Sequence, residues 1–284
     1  AGSAAQPAAR ARARMRLLAA SALLLWAFMA VRLLARSGGD HAGGHSPAAL
    51  VRFFSPSSAA VPPGAKLLHF VRHAEGTHNV EKAYRSPENF DAPLTPLGEE
   101  QCARLAERAR GLQVGLVVSS PLTRTLQTAQ RGFAAALAAG VPFVAEESVR
   151  ETVNFLCDCR RSLSLLRGDF PSIDFSRIEH EEDPIWARYE ERFGDQLSFE
   201  GHRESDDLPS LAVRARTALT FLASREEASI AVVSHRAFLN HLFNSDLGGI
   251  VEFADDETKE LLQEGFDNAE LRTVAAVLPA ASSL

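Results

Sequence analysis

The chain has 284 residues, 46% of them hydrophobic and 23% charged, the proportions of a folded globular protein rather than a disordered one. A formal net charge of −6 and only three cysteines exclude a wholly basic nucleic-acid binder and a small disulfide-stapled scaffold. The charge is uneven, because six Arg and no acid fall in residues 1–39, so only 24 basic groups face all 36 acidic ones in the remainder.

An uninterrupted run of 15 apolar or small residues begins at Leu17, behind Arg10, Arg12, Arg14 and Arg16. It is apolar all round, which rules out an amphipathic surface helix. Continued through Arg32 to Ala35, it approaches the roughly 20 residues of a bilayer span, with Arg32 reaching the interface along its own stem. Residues 1–36 are therefore expected to be a targeting or membrane-anchor segment. An uncleaved signal-anchor, running from Leu17 to Ala35 with its N-terminus cytosolic, is the first reading, and it implies membrane association. A secretory peptide cleaved near Ala35-Arg36-Ser37, giving a secreted or lumenal protein, and an Arg-rich organelle transit peptide both stay open. Residues 37–65 contain 14 Gly, Pro or Ser and read as a flexible tether. Their one apolar patch, Ala49-Leu50-Val51-Arg52-Phe53-Phe54, either docks on the domain or does nothing.

The folded domain is expected over 66–284. Apolar runs at 67–71, 114–118 and 230–233 lack alternation, as strands covered on both faces do. Thr95-Pro96 with Glu99 marks the start of a helix over 96–110. By the same signal, Ser120 and Pro121 open a long Ala-rich helix ending at Gly140. Further helices are expected over 211–227 and from Arg236, and a late strand over 271–278. Helices alternating with buried strands make the class α/β, a three-layer sandwich with a mostly parallel sheet covered by helices on both faces. Residues 152–207 break that rhythm; they are acidic and irregular, an insertion placed to cover an active site.

Ligands bind beyond the carboxyl ends of strands in such sheets. Arg72 and His73 follow the first run, Ser120 and Arg124 the second, and Ser234 and His235 the third. Two Arg and two His thus converge on one sheet edge. Arg presents planar forks of donors to phosphoryl oxygens, and a neutral imidazole can attack phosphorus, so the direct reading is an anion site.

The order Arg72-His73, then Asp-x-Pro-Leu-Thr-x-x-Gly from Asp91 to Gly98, then Ser-Pro-Leu-x-Arg-x-x-x-Thr from Ser120 to Thr128, then Ser234-His235, resembles the histidine phosphatase superfamily in its phosphoglycerate mutase-like branch. Glu151, followed by Cys157-Asp158-x-Arg160-Arg161-Ser162, is similar to plant and fungal phosphoglycerate mutase-like proteins. The resemblance implies that His73 is the nucleophile that becomes a phosphohistidine. It likewise implies that Arg72, Arg124, Asn79 and His235 hold the phosphoryl group and that Glu151 protonates the leaving oxygen, roles that fit the charge developing in phosphoryl transfer. The implied substrate is a phosphorylated small molecule, with no metal or organic cofactor required and no nucleic acid as partner. Glu146 and Glu147 compete with Glu151 for the acid role.

Two departures from the family pattern stand out. Ala74 occupies the place of a Gly that tolerates positive φ better. The mutase motif Glu-Arg-x-Tyr-Gly is absent, with Thr152 at its Arg position, which favours transfer to water over phosphoglycerate mutase-type phosphotransfer. Two other classes stay open: a catalytically inactive module that binds a phospho-ligand, and a zinc deaminase, for which His73-Ala74-Glu75 fits H-x-E but Cys157-Asp158-Cys159 lacks the second intervening residue. His69, inside a strand, is expected in the core, while His41, His45, His180 and His202 are expected in solvent. Arg160, Arg161 and Arg167 either recognise further anionic groups or pair with local acids.

Overall fold

The computed structural model describes residues 51–197, Phe199 and 201–278; the segment from Leu17 to Ala35 lies outside them. In chain order, the strands are β1 Val51–Phe54, β2 Lys66–Arg72, β3 Leu116–Ser119, β4 Phe143–Ala145, β5 Ser229–Ser234, β6 Val251–Phe253 and β7 Leu271–Val277. Among them run the helices α1 Pro96–Ala109, α2 Thr123–Gly132, α3 Ala134–Ala138, α4 Leu163–Asp169, α5 Pro184–Phe193, α6 Leu208–Ser224, α7 Arg236–Asn244 and α8 Asp256–Gln263. The sheet order is β4-β3-β5-β2-β7-β1-β6. Only β7 is antiparallel to its neighbours β1 and β2, and every other pairing is parallel, so the sheet is mostly parallel as the unbroken apolar runs require.

Strand periodicity sorts the core into two layers. From β2, Leu68 and Phe70 point to the layer that also holds Leu211 and Leu222 of α6 and Phe238 and Phe243 of α7. Val71 faces the opposite layer, with Cys102 and Leu105 of α1, Leu126 of α2 and Leu166 of α4. His69 is buried as expected, with Nδ1 2.8 Å from Thr273 Oγ1 and Nε2 2.9 Å from Ser229 Oγ. It therefore bridges β7, β2 and β5.

Two expected boundaries are corrected. The folded unit starts before Lys66, because Val51–Phe54 is a strand inside the sheet rather than tether, parallel to β6 and antiparallel to β7. Its Phe53 is fully buried and meets Phe70 and Phe243 edge to face at 6.0 and 5.7 Å between ring centroids, an arrangement aromatic quadrupoles favour. Pairing with strands some 200 residues further on rescues a four-residue run that local composition makes look like linker. The second correction concerns Ser120-Pro121. The helix begins later, at Thr123, and breaks at Phe133 before α3. The cap is supplied from a distance by Asp91, whose carboxylate accepts Thr123 N at 2.8 Å and Thr123 Oγ1 at 2.5 Å. Ser120 is thereby left for the site.

The acidic insertion is ordered into α4 and α5, and its acids pair with buried arginines. Arg150 grips Asp183 with two hydrogen bonds at 2.9 and 2.6 Å. Near the far end of the insertion, Arg214 of α6 grips Glu204 with two at 3.0 Å. Bidentate pairs of this kind fix orientation as well as distance. Among the described residues, no helix is long and apolar enough to cross a membrane.

Candidate active site

The sheet register builds the site. Arg72 lies opposite Ser234 across β2 and β5, and Ser119 lies opposite Val233 across β3 and β5, so the three strands end level. The residues that follow are brought together at that edge. His73 N donates to Ser234 O at 2.9 Å, the His73 and His235 rings lie 5.1 Å apart, and His235 Nε2 is 2.8 Å from Ser120 Oγ.

The motif residues hold this edge in place. Thr128, one turn along α2 from Arg124, accepts Ala74 N at 3.0 Å and donates to Arg124 O at 2.7 Å, which ties the loop after His73 to the helix that carries Arg124. Gly98 lets α1 press on the same loop: a Cβ there would stand 2.2 Å from Glu75 O, a distance no side chain tolerates. Ala74 sits without strain, because Lys82, Asp91 and Ala269 are the non-glycine residues with positive φ among those described. The departure from Arg-His-Gly therefore costs the backbone nothing.

His73 is 2% exposed and its Nδ1 lies 2.7 Å from Ala74 O. A carbonyl only accepts, so Nδ1 carries the proton and Nε2 keeps its lone pair. Burial first, then the charges of Arg124, His78 and Arg72, hold the ring well below the ordinary histidine range, so the imidazole stays neutral. Arg72 donates through Nη1 to Phe266 O at 2.9 Å, and its Nε has no hydrogen-bond partner.

Arg124 is fully buried behind His73. Its Nη1 donates to Cys157 O at 2.6 Å and its Nη2 to Asp158 Oδ1 at 3.2 Å, while its Nε is unpartnered. Asn79 anchors the loop by accepting Gly76 N at 3.1 Å. Its Nδ2 lies 3.1 Å from His78 Nε2.

Glu151 is partly buried and sits on the first turn of α7. Its Oε1 accepts Phe238 N and Thr152 N, both at 2.9 Å, and its Oε2 accepts Ala237 N at 3.4 Å. Burial, then the charge of Asp158, push this carboxyl above its ordinary value, against the pull of Arg124 and the backbone donors. The competing acids are occupied elsewhere: Glu146 pairs with Arg177, and Glu147 with Arg150 and Arg160.

A cavity of about 410 Å³ opens over Arg72, His73, Asn79 and Glu151. Arg124 and His235 stand behind its wall rather than in it. Three further lining residues, His78, Asp158 and Arg236, were not singled out for roles from sequence. The signals were present, since Arg236 directly follows His235 and Asp158 lies in the run after Glu151. Arg160 and Arg161 turn out to pair locally, the first with Glu147 and four backbone carbonyls and the second with Asp91 and Asp169. Neither faces the cavity. Cys157 and Cys159 are buried free thiols, and among the described residues no group of three or more His, Cys, Asp or Glu is placed to hold a metal ion. His180 and His202 are exposed as expected, whereas His41 and His45 lie outside the described residues.

An α/β sheet that carries an Arg-His pair and a second His beyond its strand ends defines a protein built to handle phosphoryl groups. Comparison with known proteins gives the same class. Residues 68–157 match the histidine phosphatase superfamily (branch 1). The chain is 34% identical over 247 residues to a phosphoglycerate mutase-like protein of Arabidopsis thaliana, covering 75% of this chain and 84% of that one. With phosphoglycerate mutase-like protein 1 of the same plant it is 36% identical, covering 75% and 81%. A solved mycobacterial glucosyl-3-phosphoglycerate phosphatase superposes with a TM-score of 0.43 at 19% identity, over 74% of this chain and 89% of that one. The chain belongs to the histidine phosphatase superfamily. Its role is that of a phosphatase or phosphotransfer enzyme of the phosphoglycerate mutase and phosphatase kind.

Proposed function

We propose that the protein hydrolyses phosphate monoesters of small molecules through a phosphohistidine on His73, without a metal. The observation that carries this is the bond from His73 Nδ1 to Ala74 O, at 2.7 Å. It leaves a neutral Nε2 at the floor of a cavity walled by Arg72 and Glu151. Nε2 attacks phosphorus, the ester oxygen leaves with the proton of Glu151, and the transferred group rests on His73. Water then attacks the phosphohistidine, giving its proton to the Glu151 carboxylate and releasing phosphate and the free imidazole. Arg72 and Asn79 face the phosphoryl oxygens. Arg124 adds positive charge from behind, and His235, also behind the wall with its Nε2 2.8 Å from Ser120 Oγ, backs the His73 ring at 5.1 Å. Such preorganised donors act where charge develops in the transition state.

Transfer to water rather than back to a bound acid is supported at Thr152. In place of a charged clamp, this buried hydroxyl lies in a neutral network, 2.9 Å from Asn154 Nδ2 and 3.1 Å from Ser205 Oγ. A mutase must retain and re-donate the group, and neutral hydrogen bonds hold an anionic intermediate less firmly than a guanidinium does.

The test is hydrolysis of an aryl phosphate by the full chain in EDTA, with a rapid quench to trap acid-labile phosphate on His73. His73→Ala is expected to lose both. Full activity in that variant, or strict dependence on added metal, overturns the reading, and efficient conversion of 3-phosphoglycerate to 2-phosphoglycerate with catalytic bisphosphoglycerate would establish the mutase instead. We further propose that the segment from Leu17 to Ala35 holds this enzyme at a membrane.

A further inference from the structure

We propose that His78 is a further phosphoryl-binding residue, which donates a hydrogen bond from its Nδ1–H to an oxygen of the group carried by His73. This rests on the phosphatase reading above and adds a donor outside the set that the family resemblance supplies.

The neighbouring amide fixes the tautomer. Asn79 Oδ1 accepts Gly76 N at 3.1 Å, so the end of that side chain lying 3.1 Å from His78 Nε2 is its NH2 group. An amide nitrogen only donates, so His78 Nε2 accepts and the ring proton sits on Nδ1. Burial first, then the charges of Arg124 and Arg72, hold this imidazole down to about 2. It is therefore a neutral donor, with no second proton to give to a leaving oxygen.

That Nδ1 is buried and has no partner. A buried donor left unmade loses its water and gains nothing in exchange. The same protein treats a histidine of the core differently, since both nitrogens of His69 are bonded, to Thr273 and Ser229. Buried polar atoms without partners also occur at Arg124, Arg150, Gln196, Arg203, His235 and Thr258, so an orphan alone marks nothing. None of those six lines the cavity. Among the described residues, the cavity-lining side chains with an unpartnered buried atom are Arg72, at Nε, and His78, at Nδ1. One precedes His73 in the chain, and the other holds its ring 5.4 Å from the His73 ring between centroids.

Local structure leaves the place beside Nδ1 unfilled. Gly76 has φ −101° and ψ 162°, extended backbone that any residue adopts, so its conformation does not call for glycine. Space does: a Cβ there would stand 2.8 Å from both Nδ1 and Cε1 of His78. The ring itself is 4% exposed and is held at its other nitrogen by Asn79. A phosphoryl group on His73 thus brings its oxygens to a donor already fixed in place, and donors that need no reorganisation are the ones that stabilise developing charge. Because the donor is neutral and the acceptor an anion, the bond is charge-assisted.

The test is calorimetric titration of the full chain, in detergent, with orthovanadate, which takes up the five-coordinate geometry of phosphoryl transfer. His78→Phe keeps a ring and removes the donor, whereas His78→Gln returns an N–H. His78→Phe is expected to weaken vanadate binding about 10-fold or more, the worth of one hydrogen bond to a charged group. His78→Gln is expected to stay within about 3-fold of the native chain, since an amide can make the same kind of bond. Thermal melts establish that each variant is folded, and if His78→Phe is not, His78→Leu carries the same expectation. Unchanged affinity in the variant without a donor, equal losses in that variant and in His78→Gln, or no vanadate binding by the native chain overturns the assignment. Binding needs no turnover, so the two readings separate. A chain that binds vanadate through His78 yet hydrolyses no ester sinks the phosphatase reading alone, and an active chain whose vanadate affinity ignores His78 sinks this one alone.

Discussion

Glu151 Oε1 accepts the backbone N–H of Phe238 at 2.9 Å, so an acid 87 residues earlier in the chain is docked on the helix that begins directly after His235. The partial positive charge of a helix N-terminus steadies a carboxylate, yet burial and Asp158 outweigh it and push the carboxyl above its ordinary value. The group is thereby kept able to give up a proton.

Glu151→Gln is expected to slow hydrolysis of alkyl phosphates on the order of 100-fold while changing p-nitrophenyl phosphate little, because only a basic alkoxide needs the proton. Since the protonated form is the active one for the first step, the alkyl phosphate rate should fall as pH rises through the raised value of Glu151. That limb should vanish in the variant. Rate profiles against pH for the two leaving groups check this, and equal losses on both would mark Glu151 as structural.

His69 supplies a stability prediction. Burial pushes its imidazole down to about 4 from an ordinary 6.5, so between those values the unfolded chain takes up a proton that the folded one refuses. Stability is fully present above pH 6.5 and is lost as pH falls to about 4, by roughly 3 kcal/mol from this group. His69→Gln, which cannot titrate and keeps a donor and an acceptor for Thr273 and Ser229, should flatten that part of the slope in denaturant titrations at pH 7 and pH 4.5.

Strand β1 should prove indispensable to the domain. Phe53→Ala removes a fully buried ring that meets Phe70 and Phe243 and is expected to cost about 3–5 kcal/mol. A chain beginning at Lys66 should be less stable still, because β7 and β6 lose the strand between them. Thermal melts of that truncation beside one beginning at Pro47 decide the matter, and identical midpoints would return β1 to the status of tether.

The proposed anchor from Leu17 to Ala35 predicts that the protein resists alkaline carbonate extraction from membranes of expressing cells, and that its mature mass includes this segment. Release into the supernatant of a chain beginning near Gly38 would point to cleavage. The phosphatase proposal would be untouched, because every residue in it follows Lys66.

Several features were legible in the residues alone because they arise from local or near-local forces. Unbroken apolar runs mark β2, β3 and β5, since a strand covered on both faces has no polar side. Thr95-Pro96 marks α1, since its hydroxyl accepts Gly98 N within four residues of chain. Arg72, His73 and His235 were placed on one edge because parallel strands end together. What tertiary structure decided depends on partners far apart in sequence. Asp91 caps α2 from 32 residues away, which frees Ser120 to meet His235. Val51–Phe54 becomes a strand only between β7 and β6. Asp158 takes up Arg124, and the turn at Gly265 and Phe266 brings Arg236 beside Arg72. A side chain's charge can be read from its residue type, but whether that charge is spent inside the protein depends on which distant group folding places against it.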